Sequence, residues 1–137
     1  MSSRPWKGEP DHETGEFAGY EYTLRRNPHT GVWLGYVDVP YGHPWYGNDY
    51  DAPPVCDLRV HGGITYADNE ALDWRVGFDC GHAFDLMPEL MGSVEWDDMV
   101  RAAAGSEFEV SYKDIAFARG QCKRLCEQAA LAAEAQA

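Results

Sequence analysis

Apolar and polar residues alternate along YEYTLRR, residues 20–26, where Tyr20, Tyr22 and Leu24 occupy every second position. A period of two places these side chains on one face of a half-buried β-strand. A second apolar run, VWLGYVDV at 32–39, follows the turn-rich segment NPHTG at 27–31. Because a short turn of this composition joins two strand-like runs, the pattern predicts a β-hairpin.

Two later segments show the same alternation. VCDLRVHGGITYA (55–67) and DWRVGFDC (73–80) each place apolar side chains on one face and polar side chains on the other. The short connection between them predicts antiparallel pairing, which would bring Arg59, His61 and Asp79 to one polar face. EFEVSY (107–112) is predicted to form a further, edge strand.

The helical signals lie in the C-terminal third. SVEWDDMVRAAAG (93–105) predicts a short helix with Ser93 as its N-cap and Gly105 at its end. After Asp114, a second N-cap, apolar residues recur at spacings of three and four, which predicts a C-terminal amphipathic helix. Its predicted buried positions are Ile115, Ala118, Cys122, Leu125, Ala129 and Ala132.

These elements predict one α+β domain over residues 19–137. It would consist of a mainly antiparallel sheet of four or five strands with the C-terminal helix packed on one face. Residues 1–18 are polar and contain Gly and Pro throughout, and we expect them to be a flexible lead-in. The length of 137 residues, 45% of them hydrophobic, suits a single core.

Charge narrows the classes of partner. The chain carries 11 basic and 23 acidic residues, a formal net charge of −12. Such a surface repels a phosphate backbone, so we expect no binding of long nucleic acid. It suits a partner protein with a basic surface, and it does not exclude a small anionic ligand that a few Arg side chains and backbone N–H groups hold locally. Homo-oligomerisation stays open.

The chain shows no apolar run of the ~20 residues that a membrane span needs, and no apolar signal sequence at its start. We therefore expect no membrane partner and a location in the cytoplasm. In that reducing compartment the four cysteines are expected to be thiols.

The segment PYGHPWYGNDYDAPP (40–54) is too rich in Pro and Gly for a regular element, and its aromatic residues argue against disorder. It is either a ligand-binding loop or a loop whose aromatic side chains cap the core. Its candidate ligand-binding residues are His43, Trp45, Tyr46, Asp49 and Tyr50.

The ordered series GYVDVPYGHPWYGNDYD, VHGGITYA, W..GFDCGHAFD and YKDIAFARGQC resembles a family of small proteins encoded by tailed phages and prophages. The similarity spans about residues 20 to 126. It implies a phage origin and a bacterial host, and it assigns no chemistry. The chain departs from the family pattern after His82, where AFDLMPEL replaces a turn richer in Gly and Asp, so no role for Asp85 is carried over.

Three kinds of chemistry fit the polar residues. Cys80, His82 and His61 are a weak zinc set, and we expect no cofactor. A hydrolase would use His61, Asp79, Cys80 and His82, with a thiol or a histidine pair as the reacting groups and either Asp79 or Asp85 to orient the imidazole. A binding site would use backbone N–H groups of the HGG turn to cradle a phosphate, aromatic rings to stack on a base, and charged side chains around them. Its members outside the aromatic loop would be Arg59, His61, Gly62, Gly63, Asp79 and His82.

Binding is favoured over hydrolysis. The sequence, with the origin that the resemblance implies, predicts a phage accessory protein of the anti-defence type. It would sequester a small host ligand, a nucleotide-derived immune signal. The two alternatives are a hydrolase that degrades such a signal and an acidic inhibitor that binds a host protein.

Overall fold

A five-stranded antiparallel sheet forms the centre of the molecule, in the order β1-β2-β3-β5-β4. The computed structural model describes residues 5–82, 85–107 and 109–136. The strands are β1 (His12–Phe17), β2 (Tyr20–Arg26), β3 (Trp33–Val39), β4 (Tyr66–Glu70) and β5 (Asp73–Asp79). The helices are α1 (Val94–Ala103) and α2 (Ile115–Gln136), and short 3-10 turns lie at Pro5–Gly8, Val55–Asp57 and Pro88–Leu90. This architecture confirms the predicted α+β class.

The predicted hairpin is confirmed as β2 and β3, with Tyr22 opposite Val37. Its turn forms because the Asn27 side chain accepts the backbone N–H of His29 at 2.8 Å, a local bond that favours turns over strands. Both predicted helices are present as well. The Ser93 hydroxyl accepts the N–H of Trp96, and the Asp114 carboxylate accepts the N–H of Phe117, as N-caps do.

Helix α2 packs on one face of the sheet and buries the core. Leu24, Trp33, Val37 and Phe78 of the sheet are fully or almost fully buried there, against the helix residues Ala118, Cys122, Leu125, Cys126 and Ala129. Gly35 permits the close approach. A Cβ atom at this position would lie 2.8 Å from the Cys122 Sγ atom and 2.4 Å from the Phe78 ring.

The other face of the sheet, called the open face below, is not covered by α2. Its central row crosses all five strands through Thr14, Thr23, Tyr36, Gly77 and Tyr66. On the edge strands, the side chains of this face are exposed.

No helix of the described residues is long and apolar enough to cross a membrane.

The prediction for residues 55–67 is wrong except at Tyr66 and Ala67, which begin β4. The segment folds over α2 instead of joining the sheet. Its backbone N–H groups at Arg59 and His61 are bound by the side chains of Gln128 and Gln121, at 2.8 and 2.9 Å. Side-chain alternation predicted a strand here, but alternation carries no information on which groups the backbone binds.

The fifth strand is also different from the predicted one. Residues 12–17, assigned to the flexible lead-in, form the edge strand β1 along β2. Its helix-facing positions, Glu13, Gly15 and Phe17, include one apolar side chain, which hides the alternation. The predicted edge strand at 107–112 is not seen: Ser111 makes an isolated bridge with Asp85, and Phe108 lies outside the described residues.

Glu9 connects the N-terminal segment to the core. Its side chain, 11% exposed, accepts hydrogen bonds from Arg26, from the Trp33 indole N–H, from the Tyr112 hydroxyl and from the backbone N–H of Ile115 at the start of α2. Burial alone would raise the pKa of Glu9, but these hydrogen bonds outweigh it and hold the pKa below its ordinary value. We therefore expect Glu9 to be ionised and to hold the N-terminal segment against the core.

Candidate functional site

The HGG turn places the His61 ring at one end of the sheet. Both glycines have left-handed backbone angles, with φ of +72° at Gly62 and +81° at Gly63, which other residues rarely adopt. The N–H of His61 binds Gln121, and the N–H of Gly63 binds the carbonyl of Val60 at 2.9 Å. These two donors are engaged within the protein, which weakens the predicted phosphate cradle.

Asp85 is the buried centre of the site. Its side chain is 1% exposed and its oxygens lie 2.8 and 3.0 Å from His61 Nε2. The same carboxylate accepts the backbone N–H of His82 at 3.0 Å and pairs with the Lys113 ammonium at 3.2 Å. Since the carboxylate accepts the Nε2–H proton, neutral His61 keeps Nδ1 as its proton acceptor.

A second carboxylate accompanies the second histidine. Asp79 accepts the Gly81 N–H at 2.9 Å and the Thr65 hydroxyl at 3.0 Å. His82 Nε2 lies 3.3 Å from Asp79 Oδ1 but without hydrogen-bond alignment, so this contact is electrostatic.

The two imidazoles touch each other across the HGG turn. Their ring centroids are 5.5 Å apart in an edge-to-face arrangement. The His82 ring rests on Gly62, where a Cβ atom would lie 1.9 Å from Nε2. His61 and His82 side chains are 24% and 32% exposed, so a ligand can reach part of each ring, although the His82 Nε2 atom itself is buried. We call His61, Asp79, His82, Asp85 and Lys113 the histidine–aspartate cluster.

Three of the predicted site residues, His61, Asp79 and His82, are therefore brought together, although not on one face of two paired strands. Arg59 is not part of the cluster: its side chain is exposed, and its backbone binds Gln128, two helical turns from Gln121. Lys113 was not predicted, and Asp85 was considered only as an alternative to Asp79. The spacing of Asp85, three residues after His82, was the available signal.

Cys80 lies beside the cluster but on the core side of the sheet. It is 1% exposed, and burial, with the nearby charges of Asp85 and Asp79, raises its pKa to about 12. A thiol of this kind is protonated at neutral pH and is a poor nucleophile or metal ligand. Among the described residues, no group of three or more His, Cys, Asp and Glu side chains is arranged to hold a metal ion.

A thiol-labelling experiment checks this assignment. All four cysteines are free thiols, and Cys56 alone is exposed. We expect a soluble disulfide reagent to modify Cys56 in the native protein, and to modify Cys80, Cys122 and Cys126 only after denaturation. Rapid native labelling of Cys80 in a Cys56→Ser variant would contradict the burial and the raised pKa.

The aromatic loop lies elsewhere and mainly completes the core. His43 and Trp45 are buried. His43 Nε2 donates to the Ala129 carbonyl at 2.8 Å and Nδ1 accepts the Trp45 N–H at 3.0 Å, an arrangement that fixes the neutral ring. Burial lowers the pKa of His43, which favours the same form.

The loop is also distant from the cluster. It leaves the sheet after Val39, which pairs with Trp74 at the start of β5, whereas Asp79 ends that strand. The two ends are about 17 Å apart at the usual rise per residue. Tyr46 packs near Trp74, and Asp49 and Tyr50 are exposed at that same end. The sequence predicted one pocket walled by the loop and the HGG turn, and the structure separates them.

Comparisons of the chain with protein-family models, with curated proteins and with solved structures find no match. The phage resemblance therefore stays a prediction, and the geometry of the cluster is the basis on which a function can be inferred.

Proposed function

We propose that the protein binds a small phosphate-bearing ligand of nucleotide type at the histidine–aspartate cluster. The observation that carries this proposal is the pair of contacting, part-exposed imidazoles, each accompanied by a carboxylate, with the Lys113 ammonium beside them. A protonated imidazole and an ammonium are N–H donors that suit phosphate oxygens, and on His61 the donor to the ligand would be Nδ1–H because Nε2–H is bound to Asp85. The Asp85 carboxylate holds the His61 ring in place, which lowers the entropy that ordering this ring would cost on binding.

The charges around the cluster favour a ligand with few phosphates. Asp79 and Asp85 carry negative charges that repel an anion, but the charge of Asp85 is already paired with His61 and Lys113. The surrounding protein has a net charge of −12, which opposes a long polyanion over its whole length. A ligand with one or two phosphates is small enough to contact the N–H donors of the cluster without lying along the rest of the acidic surface. Sequestration of a host nucleotide signal is the biological role that we propose on the basis of the resemblance alone.

Hydrolysis of the same ligand is a second candidate, favoured by one feature. Asp85 binds His61 through Nε2 and leaves Nδ1 to accept a proton, as in an acid–base catalyst oriented by a buried carboxylate. In this version His61 is the proton acceptor and Cys80 has no role. Recovery of intact ligand after incubation supports binding, whereas a cleaved product supports hydrolysis.

The test is a calorimetric titration with inorganic phosphate, nucleoside monophosphates and cyclic mono- and dinucleotides. We expect at least one nucleotide to bind, and His82→Ala to weaken its binding about tenfold or more, the effect of losing a charge-assisted hydrogen bond. His82 is the cleanest position because its Nε2 atom, although buried, makes no aligned hydrogen bond within the protein, so truncating the ring removes no internal hydrogen bond of that atom.

His29→Ala is the matched control, since His29 is exposed in the β2–β3 turn, outside the cluster. Its affinity should equal that of the unmodified protein. Absence of binding throughout the panel, or equal affinity in the His82→Ala and His29→Ala variants, would reject the proposal.

A further inference from the structure

The open face carries an unbalanced set of charges at the end near the β1–β2 and β4–β5 turns. Six carboxylates lie there, those of Glu16, Glu21, Asp38, Asp68, Glu70 and Asp73. Arg75 is the basic residue among them, and it is occupied by Asp38 at 2.7 and 3.0 Å and lies 3.8 Å from Glu70. This end of the face is therefore strongly acidic.

The pairing of these charges is unfavourable for the fold. Glu16 lies directly opposite Glu21, and Glu70 lies directly opposite Asp73. Like charges in opposed positions destabilise an antiparallel sheet. A basic partner that neutralised both pairs would relieve this repulsion, so its binding would gain free energy that the isolated protein lacks.

Arg75 shows how this face holds a guanidinium group. Its N–H groups form a fork on the two oxygens of Asp38, while its guanidinium carbon lies 5.3 Å from the centroid of the Tyr36 ring. The same pair of residue types recurs on the edge strand, where Tyr66 and Asp68 share the open face and are exposed. A carboxylate fork beside an aromatic ring selects arginine over lysine.

A depression beside these residues offers a second acidic position. Glu21, Asp38 and Asp73 line it together with Tyr20 and Pro40. The face spans about 19 Å across its five strands at the usual strand spacing. Tyrosines at its centre with charges around them match the anatomy of protein interfaces, in which Tyr is frequent among the residues that dominate affinity.

We propose that the open face is a docking surface for an arginine-rich segment of a partner protein. The inference is independent of the histidine–aspartate cluster because it uses different residues, although Asp79 of the cluster lies on the same face, at the other end of β5 from Asp73. Tyr66 and Asp68 receive one guanidinium, and Glu21 with Asp73 receives another in the depression.

The experiment titrates the full chain with an oligo-arginine peptide and with an oligo-lysine peptide of equal length. We expect the arginine peptide to bind more tightly, and Tyr66→Ala to weaken its binding several-fold while leaving the lysine peptide almost unaffected. Equal affinity for the two peptides, or no binding of either, would overturn the proposal.

Charge-reversal variants distinguish the effect of the charges on the open face from the effect of the protein's net charge. The double variant Glu21→Lys/Asp73→Lys converts each like-charge pair into an ion pair and keeps the contact between Glu70 and Arg75, so it is expected to fold. The control Glu127→Lys/Glu134→Lys makes the same change of net charge on exposed positions of α2. We expect about tenfold weaker binding of the arginine peptide in the first variant and little change in the second. An equal loss in both would show that only net charge matters, and would overturn the proposal.

Discussion

Replacing Glu9 with alanine is expected to lower the free energy of unfolding by about 3 kcal/mol, the cost of removing one partner of a largely buried ion pair. The substitution leaves the Arg26 guanidinium, 11% exposed, without its main buried carboxylate. It also leaves the Trp33 indole, the Tyr112 hydroxyl and the Ile115 N–H without their acceptor. Urea denaturation monitored by tryptophan fluorescence measures the loss.

Glu16→Ala is the control for this experiment. Glu16 lies on β1, in the same N-terminal segment, but it is exposed and faces Glu21. Its removal should leave the stability unchanged or slightly raised, because a like-charge pair disappears. Equal effects of the two substitutions would show that Glu9 is not a structural link.

The stability should also depend on pH through Glu9. Its pKa is lower in the folded protein than the ordinary value of 4.5, so the unfolded chain takes up the proton more readily. The resulting stabilisation is fully present above about 4.5 and is lost as the pH falls through the folded-state pKa. The difference in stability between the unmodified protein and Glu9→Gln should therefore shrink in acid. A difference that stayed constant over this range would contradict the assigned charge.

The second large effect is expected at Asp85. Asp85→Asn keeps the size of the side chain but removes the charge that pairs with Lys113 and orients His61. We expect the free energy of unfolding to fall by about 2 kcal/mol, because the partly buried Lys113 ammonium loses its carboxylate partner and keeps only its hydrogen bonds to Ser111. The affinity for the nucleotide should fall about tenfold or more, because His61 is no longer held in place.

Asp98→Asn provides the comparison, since the Asp98–Arg101 pair on α1 is largely exposed and contributes little. Stability and ligand affinity should both be unchanged in that variant. An Asp85→Asn protein that lost stability but kept full affinity would limit Asp85 to a structural role.

Local periodicity was sufficient to predict the β2–β3 hairpin and both helices. In these elements the side-chain pattern and the caps at Ser93 and Asp114 act within a few residues of each other. It failed at residues 55–67 because the backbone partners there are two glutamines on α2, about 60 and 69 residues away in sequence. It failed at β1 because an edge strand with a solvent-facing side needs few apolar residues.

The histidine–aspartate cluster was predicted only in part, because sequence patterns do not show which distant residues fold together. His61, Asp79 and His82 carry recognisable chemistry at any position, and the strand that ends at Asp79 was correct. Lys113 joins them only through tertiary folding, 28 residues after Asp85 in the chain. The aromatic loop was misplaced because composition does not distinguish rings that bind a ligand from rings that close the core, as His43 and Trp45 do.

The most direct test of the central claim, that the histidine–aspartate cluster is a nucleotide-binding site, is mass spectrometry of retained small molecules. The protein is incubated with a deproteinised bacterial extract, separated from unbound molecules and denatured. We predict that a phosphate-bearing molecule is released from the unmodified protein and from His29→Ala, and is absent from a folded His61→Gln/His82→Ala variant. Release of the same molecule in equal amounts from all three proteins, or of none from the unmodified protein, would contradict the account.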